Sequence, residues 1–359
     1  MTRPARTFLD PQALRNNLSL VRRKAPGSRV MAVVKANGYG HGLRWAAQVL
    51  TSADAFAVAS VEEAVLLRTS GTQAPICLLE GFFSADDLPL LDQHRLSPAL
   101  HHVSQLEMLE QSKVRGPLTV WVKIDTGMHR LGFAPGELPA VLERLRRLPA
   151  IAEIGLMSHF ANADQRDDEG TRGQIRAFLE LSHAHKLQRS LANSAGILGW
   201  PESHLDWVRP GIMLYGSSPL NGETADSLGL QPVMTLTTQL IAVQRRQKGD
   251  RVGYGGDWTC PEDMTVGVAA IGYGDGYPRH APAGTPVLVN GQRTPLIGRV
   301  SMDMITLDLR AHPNASVGDP MVLWGRGLPV DEIAASAGTI SYELMCHVAE
   351  RIPRIVNGD

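Results

Sequence analysis

Hydrophobic and polar positions alternate in two different ways along the chain, and the change comes near residue 230. Before it, short apolar runs are separated by stretches with amphipathic helical spacing, the longest of which covers 171–186. This pattern predicts buried parallel strands alternating with helices, and hence a parallel (β/α)8 barrel. The predicted strands are 30–34, 55–59, 76–79, 97–100, 118–124, 153–158, 190–193 and 205–209.

After residue 230 the apolar runs alternate with polar residues and are joined by turns rich in Gly, Asp and Asn. The runs 234–243, 264–271, 286–289 and 304–309 predict a mostly antiparallel β domain. The predicted domains are therefore 6–225, a (β/α)8 barrel, and 226–359, a C-terminal β domain. Within the barrel, Ser60 and Ser104 are predicted helix N-caps, and Pro135 is predicted to start a further helix.

Composition narrows the protein class. The chain has 359 residues, 43% of them hydrophobic, which is enough for a sizeable core. A net charge of −1 without long basic runs argues against a nucleic-acid partner, and no apolar run is long enough to span a bilayer. The three cysteines form no CxxC pair, which argues against disulfides and a structural metal site. With no apolar signal segment in the first thirty residues, the sequence predicts a cytoplasmic protein without a membrane partner.

Candidate chemistry lies directly after the predicted barrel strands. Lys35 follows the first strand and leads into a glycine-rich loop that contains Tyr39. An amine at the rim of a dry core is a potential nucleophile, and a glycine-rich loop exposes N–H groups to an anion. This pairing suits a phosphorylated aldehyde cofactor, although a solvated lysine is the simpler alternative. Further polar residues follow other strands and are expected at the same rim: Lys123, Asp125, His159, Ser194, Arg209 and Gly211.

Several longer motifs occur between residues 32 and 343. They are AVVKANGYGHG, VKIDTGMHRLGF, GLMSHFANAD, LANSAG, VRPGIMLYG, IGYGDGYPR, GRVSMDM and SYE. In these motifs and their order, the chain resembles the alanine racemase family of pyridoxal 5′-phosphate enzymes. The resemblance covers nearly the whole chain and implies an isomerase that interconverts L- and D-alanine.

The resemblance also implies roles for individual residues. Lys35 would be linked to the cofactor through an imine and would act as one of two bases, with Tyr273 as the other base on the opposite face of the substrate. Arg209 would face the ring nitrogen, and His159 would pack against the ring. The phosphate would be held by Tyr39, Ser194, Gly211, Ile212 and Tyr342.

The substrate carboxylate would be bound by Arg130 and Met302. The resemblance further implies that Lys123 is carbamylated, with an unmodified lysine paired with Asp125 as the alternative. It also implies a homodimer in which Tyr273 and Met302 of one chain complete the site around Lys35 of the other.

Simpler interpretations exist for several of these residues. Ser194 has the position of a helix N-cap, Tyr342 and Met302 are also typical packing residues, and His159 also suits a core position or a metal ligand. At the level of function, alternatives are a racemase acting on serine or other amino acids, a decarboxylase of the same fold, and a non-catalytic cofactor-binding protein. In the cell, alanine racemisation is predicted either to supply D-alanine for peptidoglycan or to serve the catabolism of alanine.

Overall fold

The computed structural model describes residues 3–356, which form two compact units. We call them the barrel unit, Arg15–Leu214 with Ser218–Glu223, and the sheet unit, which comprises the remaining described residues: 3–14, Tyr215–Ser217 and 224–356. Each unit has its own pattern of strands.

Strands and helices are numbered in chain order. The strands are β1 (Arg6–Leu9), β2 (Arg29–Val33), β3 (Ala55–Val58), β4 (Ile76–Leu78), β5 (Leu96–Leu100), β6 (Leu118–Lys123), β7 (Ile151–Met157), β8 (Gln188–Ser190), β9 (Trp207–Val208), β10 (Met234–Arg246), β11 (Arg251–Val252), β12 (Trp258–Thr259), β13 (Met264–Ala269), β14 (Pro286–Val289), β15 (Gln292–Ile297), β16 (Ile305–Asp308), β17 (Pro320–Trp324) and β18 (Arg354–Val356). The helices are α1 (Pro11–Lys24), α2 (Lys35–Tyr39), α3 (Leu43–Val49), α4 (Val61–Thr69), α5 (Leu88–His94), α6 (Val103–Glu110), α7 (Leu138–Arg146), α8 (Glu169–His183), α9 (Ser194–Gly199), α10 (Val330–Ser336) and α11 (Ser341–Cys346).

The barrel unit is built from strands β2 to β9, which pair in chain order and close into a parallel barrel where β2 meets β9. All eight predicted strands are present, so the predicted parallel barrel is confirmed. The largest offset is at β8, predicted at 190–193 but observed at Gln188–Ser190. Residues 191 and 192 are apolar and buried, but the pairing of β8 with its neighbouring strands ends at Ser190. The sequence pattern marks buried residues and does not show where strand pairing ends.

A pair of tryptophans packs between two strands of the barrel unit. Trp121 in β6 meets Trp207 in β9 edge to face, with ring centroids 6.2 Å apart. Gly155 in β7 leaves room for this arrangement, because a Cβ there would stand 2.5 Å from the Trp121 ring. The position of the Trp121 ring thus requires a glycine in the neighbouring strand β7.

Helix starts in the barrel unit agree only in part with the sequence prediction. Ser60 caps α4 by accepting a bond from the N–H of Glu63, as predicted. The prediction that Ser104 is an N-cap is wrong. The ring of His102 caps α6 instead, because its Nδ1 accepts from the N–H of Ser104 at 3.2 Å. Pro135 starts a short 3-10 turn that leads into α7.

The sheet unit contains an eight-stranded sheet in the order β13-β16-β15-β14-β17-β10-β1-β18. The long strand β10 pairs with β17 along its first half and with β13 from Leu240 onward, with a register shift in the second pairing between Leu240 and Ala242. Every pair in this sheet is antiparallel except β1 with β18, which confirms the predicted mostly antiparallel domain.

The first strand of the chain belongs to the sheet unit. β1 pairs with β10 and β18, so its backbone hydrogen bonds are satisfied there. The sequence analysis assigns residues 6–14 to the barrel domain, and the structure differs because a short strand carries no sequence signal for its distant partners. The long segment of the sheet unit begins at Thr224, close to the predicted boundary between 225 and 226.

Candidate active site

Lys35 directly follows the buried residue Val34 after β2, at the carboxyl ends of the barrel strands, where barrels of this type carry their chemistry. Residues 36–40 all have φ between 51 and 79°, so the chain makes one left-handed turn. Left-handed geometry costs roughly 1–2 kcal/mol for each residue other than glycine. Local bonds offset this cost: Asn37 Oδ1 accepts from the N–H of Leu43 at 2.9 Å, and the buried His41 ring bonds the turn's backbone at 2.8 Å. The turn therefore gives the backbone at Lys35 a defined position.

Tyr39 lies in this turn, and its hydroxyl lies against the backbone of Gly211. A Cβ at Gly211 would stand 2.4 Å from Tyr39 Oη, so any side chain there would displace the tyrosine. Ser194 Oγ accepts hydrogen bonds from the N–H groups of Gly211 at 2.9 Å and Met213 at 3.3 Å, and Ile212 lies between them. Both hydroxyl groups can donate to a phosphate, while the N–H groups of Gly211 and Met213 donate to Ser194 Oγ.

The structure distinguishes the two interpretations of Ser194. The N-cap of α9 is Asn193, whose Oδ1 accepts from the N–H of Gly196 at 2.9 Å. Ser194 is the first residue of the helix itself, is buried, and directs its hydroxyl to the Gly211 backbone. The alternative that Ser194 is an ordinary N-cap is therefore wrong.

Arg209 follows β9 and is 4% exposed. Its guanidinium donates to Ser190 Oγ at 2.6 Å and to the carbonyl oxygens of Ser158 and Leu191, and lies 3.5 Å from His159 Nδ1. These partners are neutral. Burial lowers the pKa of Arg209 to about 10, so the group stays positively charged at neutral pH. The barrel thus contains a buried cation bound only by neutral groups among its hydrogen-bond partners.

Positive charge dominates this end of the barrel. Burial and the charges of Arg209 and Arg130 lower the pKa of Lys123 to about 8, with Glu80 acting in the opposite direction. Burial, followed by the charges of Arg209, Lys123 and Arg130, lowers the pKa of His159 well below its usual value, so its ring is neutral at neutral pH. Because each cation disfavours protonation of its neighbours, an anionic ligand would stabilise the whole group.

The loop after β6 is held by Asp125. Its Oδ1 accepts from the N–H groups of residues 127–129 at 2.9–3.1 Å, and its Oδ2 lies 3.2 Å from the ring of His129. The carboxylate therefore binds its own loop, which disfavours the alternative pairing of Lys123 with Asp125. Arg130 follows this loop and is exposed.

In the sheet unit, Tyr273 and Met302 lie in adjacent loops. The N–H of Tyr273 donates to the carbonyl oxygen of Ser301 at 3.0 Å, and the N–H of Gly274 donates to that of Met302 at 2.8 Å. The backbone of both loops is thereby fixed. Their side chains are 41% exposed at Tyr273 and 54% exposed at Met302 in this chain.

Asp275 supports the Tyr273 loop and was not singled out by the sequence analysis. The carboxylate is fully buried, with Arg3 Nη2 at 2.6 Å and Arg351 Nε at 2.8 Å, and it accepts from the N–H of Gly272 at 3.0 Å. An acidic residue between glycines beside the candidate tyrosine is the only sequence signal for it. Its two arginines come from distant parts of the chain, which no local pattern reveals.

The candidate residues fall into two groups. The barrel unit contains Lys35, Tyr39, Lys123, Arg130, His159, Ser194, Arg209, Gly211 and Ile212. The sheet unit contains Tyr273, Met302 and Tyr342, the last a partly buried residue of α11. Glu80, which follows β4, is a further charged residue of the barrel group that the sequence analysis missed, although its position just after a strand was a usable signal.

Within residues 3–356, His, Cys, Asp and Glu side chains form no group of three suited to a metal ion. None of the helices in this part of the chain combines the length and the apolar character needed to cross a membrane.

Most of the chain matches two domains of a known protein family. Residues 9–219 match the alanine racemase N-terminal domain, and residues 233–356 match the alanine racemase C-terminal domain. The chain belongs to the alanine racemase family. This confirms the resemblance found in the sequence motifs, and it makes the chain an enzyme of the isomerase class.

Individual members of the alanine racemase family are similar over their full length. The alanine racemase of Nitrosococcus oceani is 56% identical over 348 residues, covering 97% of this chain and 98% of that protein. That of Nitrosospira multiformis is 52% identical over 99% of this chain and 100% of its own length. Among solved structures, the biosynthetic alanine racemase of Pseudomonas aeruginosa superimposes with a TM-score of 0.97 at 48% identity, covering 99% of this chain and 100% of that one.

Proposed function

We propose that this chain racemises alanine with pyridoxal 5′-phosphate and two bases, Lys35 and Tyr273. The observation that carries the cofactor assignment is the barrel site itself, where the hydroxyl groups of Tyr39 and Ser194, beside the Gly211 backbone, lie in the same unit as a cationic cluster. A related enzyme, the alanine racemase of Bacillus anthracis, has been solved with bound L-Ala-P; it superimposes with a TM-score of 0.88 at 28% identity.

The residues present fit this cofactor. Lys35 would hold its aldehyde carbon, Arg209 its ring nitrogen and His159 one face of the ring, while the phosphate would be held by Tyr39, Ser194, Gly211, Ile212 and Tyr342. When bound, pyridoxal phosphate supplies an electron sink that stabilises negative charge at the substrate α-carbon. Arg209 donates hydrogen bonds but does not give up its proton at neutral pH, so it orients the ring without protonating it.

Racemisation requires a proton to leave one face of the α-carbon and another to arrive at the opposite face. The amine of Lys35 and the hydroxyl of Tyr273 are the proton carriers that we assign to these faces. Arg130 binds the substrate carboxylate through its guanidinium, and the backbone N–H of Met302 assists. Together they fix which bond of the α-carbon faces each base.

Lys123 is proposed to be carbamylated. Carbon dioxide reacts with the neutral form of an amine, and the lowered pKa of about 8 gives Lys123 a substantial neutral fraction near physiological pH. The carbamate carries a negative charge, which suits a position influenced by the charges of Arg130 and Arg209. In this form Lys123 would orient Arg130 toward the substrate.

We further propose a cytoplasmic homodimer in which each site combines Lys35 of one chain with Tyr273 and Met302 of the other. The exposure of both sheet-unit side chains supports this arrangement. Lys35→Ala and Tyr273→Phe chains, inactive alone, are expected to regain part of the activity when mixed dimers form. Mixed dimers without activity, with their formation verified by tagged co-purification, would contradict a shared site.

The deciding experiment is a visible absorbance spectrum of the purified protein, followed by a racemisation assay over a panel of L-amino acids. Wild type is expected to show the absorbance of lysine-bound pyridoxal phosphate and to racemise alanine most efficiently. Lys35→Ala is expected to lose both, with Lys186→Ala as an exposed control. Retained absorbance in Lys35→Ala would refute the assigned attachment, and carbon dioxide release or a preference for serine would favour the alternative activities. Growth rescue of a D-alanine-requiring bacterium tests whether the chain supplies D-alanine in a cell.

A further inference from the structure

Two helices of the barrel unit each bury one glutamine against loops that follow barrel strands. Gln174 in α8 is 4% exposed, and Gln105 in α6 is 3% exposed. A buried amide needs partners for both its oxygen and its NH2 group. Both glutamine side chains bond mainly to backbone groups, and the two therefore have similar local chemistry.

Gln174 connects the loop after β7 to the loop after β6. Its Oε1 accepts from the N–H of Ala161 at 3.0 Å, while its Nε2 donates to the carbonyl oxygen of His159 at 3.0 Å and lies 3.4 Å from Thr126 Oγ1. A backbone N–H can only donate and a carbonyl can only accept, so these partners fix the orientation of the amide. The backbone on both sides of residue 160 is therefore held by one side chain.

A short hydrogen-bonded chain continues from Gln174 to the buried cation. Thr126 Oγ1 lies 2.8 Å from Ser158 Oγ, and the guanidinium of Arg209 donates to the carbonyl oxygen of Ser158. The same guanidinium lies 3.5 Å from the ring of His159. Gln174 thus reaches the His159–Arg209 pair along two routes, through the His159 backbone and through Thr126.

We propose that Gln174 is a positioning residue of this enzyme, which sets the placement of the His159 ring relative to Arg209. The inference rests on the proposed function, because His159 and Arg209 are the residues assigned to the cofactor ring. The hydrogen bonds of Gln174 go to the backbone of Ala161 and His159 and to Thr126, and not to the His159 ring or the Arg209 guanidinium. It acts by fixing the backbone from which His159 projects.

Gln105 provides a matched control within the same barrel. Its Oε1 accepts from the N–H of His101 at 2.9 Å, and its Nε2 donates to the carbonyl oxygens of Phe82 at 3.0 Å and Glu80 at 3.4 Å. The chemistry of this clamp is the same as that of Gln174. It holds the loops after β4 and β5, which contain neither His159 nor Arg209.

The test compares four variants of the full-length protein: Gln174→Glu, Gln174→Leu, Gln105→Glu and Gln105→Leu. The glutamates keep an acceptor for the loop N–H but replace the donor that faces the carbonyl, whereas the leucines remove both. Three properties are measured: hydrogen exchange at residues 159–163, the dissociation constant of pyridoxal phosphate, and kcat and KM for alanine.

Gln174→Leu is expected to lose protection at Ala161, and Gln174→Glu to retain it. Both are expected to lower kcat about tenfold to a hundredfold, because small displacements of positioned groups reduce rate by such factors. Both are also expected to weaken cofactor binding, whereas the Gln105 variants are expected to change kcat less than threefold at a similar loss of Tm.

Equal losses of kcat in the Gln174 and Gln105 variants, in proportion to Tm, would show a merely structural role and overturn the proposal. So would unchanged cofactor affinity and kcat in Gln174→Glu and Gln174→Leu, or unchanged protection of Ala161 in Gln174→Leu. A failure of the proposed function is a separate result, since wild type itself would then lack cofactor absorbance or racemase activity.

Discussion

The barrel unit and the sheet unit fix their candidate residues in opposite ways. In the barrel unit the side chains themselves are held: Arg209 is 4% exposed and bonds three neutral oxygen atoms, and Ser194 is 4% exposed and binds the Gly211 backbone. In the sheet unit the backbone is held instead, and the side chains of Tyr273 and Met302 are 41% and 54% exposed.

This difference separates two kinds of contribution. Side chains of the barrel unit are part of its packing, so changing one is expected to alter both stability and activity. The side chains of Tyr273 and Met302 are exposed in this chain, so changing one is expected to alter activity with little change in stability. The barrel candidates are held within one chain, whereas Tyr273 and Met302 are exposed in this chain and would act in the partner's site under the proposed dimer.

The strongest test of this contrast is Arg209→Met. The variant leaves the carbonyl oxygens of Ser158 and Leu191 without a buried donor, and such losses cost about 1–3 kcal/mol for each unsatisfied group. It also removes the cation proposed for the ring nitrogen, so we expect a loss of activity on the order of a hundredfold to a thousandfold. Thermal unfolding and kcat/KM are the measurements.

A control for Arg209→Met is Arg189→Met, which removes a partly exposed ion pair with Asp206 in the same barrel. This variant is expected to leave kcat/KM within about twofold of wild type and to change stability by less than about 1 kcal/mol. If Arg209→Met retained wild-type activity, the assignment of this cation to the cofactor would be wrong.

Tyr273→Phe tests the other side of the contrast. Because the ring is 41% exposed and only the hydroxyl is removed, Tm is expected to change by less than about 2 °C. Racemisation is expected to fall by at least a hundredfold, on the order expected for loss of a general acid or base. In D2O, this variant is expected to exchange the α-hydrogen of one enantiomer by means of Lys35 without inverting it. Equal loss of exchange from both enantiomers would contradict the two-base assignment.

The sequence predicted the repeating part of the fold and the rim residues, since both follow from local patterns. Each apolar run marked a barrel strand, and the carboxyl end of a strand is where polar residues such as Lys35 and Arg209 meet. It did not predict that β1 pairs in the sheet unit, because the partners of that strand lie more than 200 positions away along the chain.

The sequence also did not predict the hydrogen-bond networks between side chains and loops. Gln174 occupies the buried face of α8 together with Ile175 and Phe178, so a polar residue at an apolar position was a readable signal. The identity of its partners was not readable, because they depend on how two loops approach each other. The same applies to Asp275, whose arginines lie at the two ends of the described chain.

The smallest expected effect concerns Lys123 of the barrel unit. Its side chain is buried and carries a titratable charge. Burial lowers its pKa from 10.5 to about 8. Between these values the unfolded chain binds more protons than the folded chain. The free-energy cost of burying the charged amine is therefore fully present below pH 8 and disappears toward pH 10.5. In carbonate-free buffer, the Tm advantage of Lys123→Met over wild type is therefore expected to shrink across this range.

Adding ¹³C-bicarbonate extends the same comparison to the proposed modification. A carbamate signal in the carbon NMR spectrum of wild type, absent from Lys123→Met and still present in the exposed control Lys186→Met, would assign the modification to Lys123. The folded carbamate binds no proton, whereas the free amine of the unfolded chain binds one below its pKa of 10.5, so bicarbonate is expected to extend the pH dependence of the Tm difference between wild type and Lys123→Met to values below pH 8. A pH-dependent difference that bicarbonate leaves unchanged would mean that Lys123 functions as a free amine, and that Arg130 is oriented without a neighbouring anion at this position.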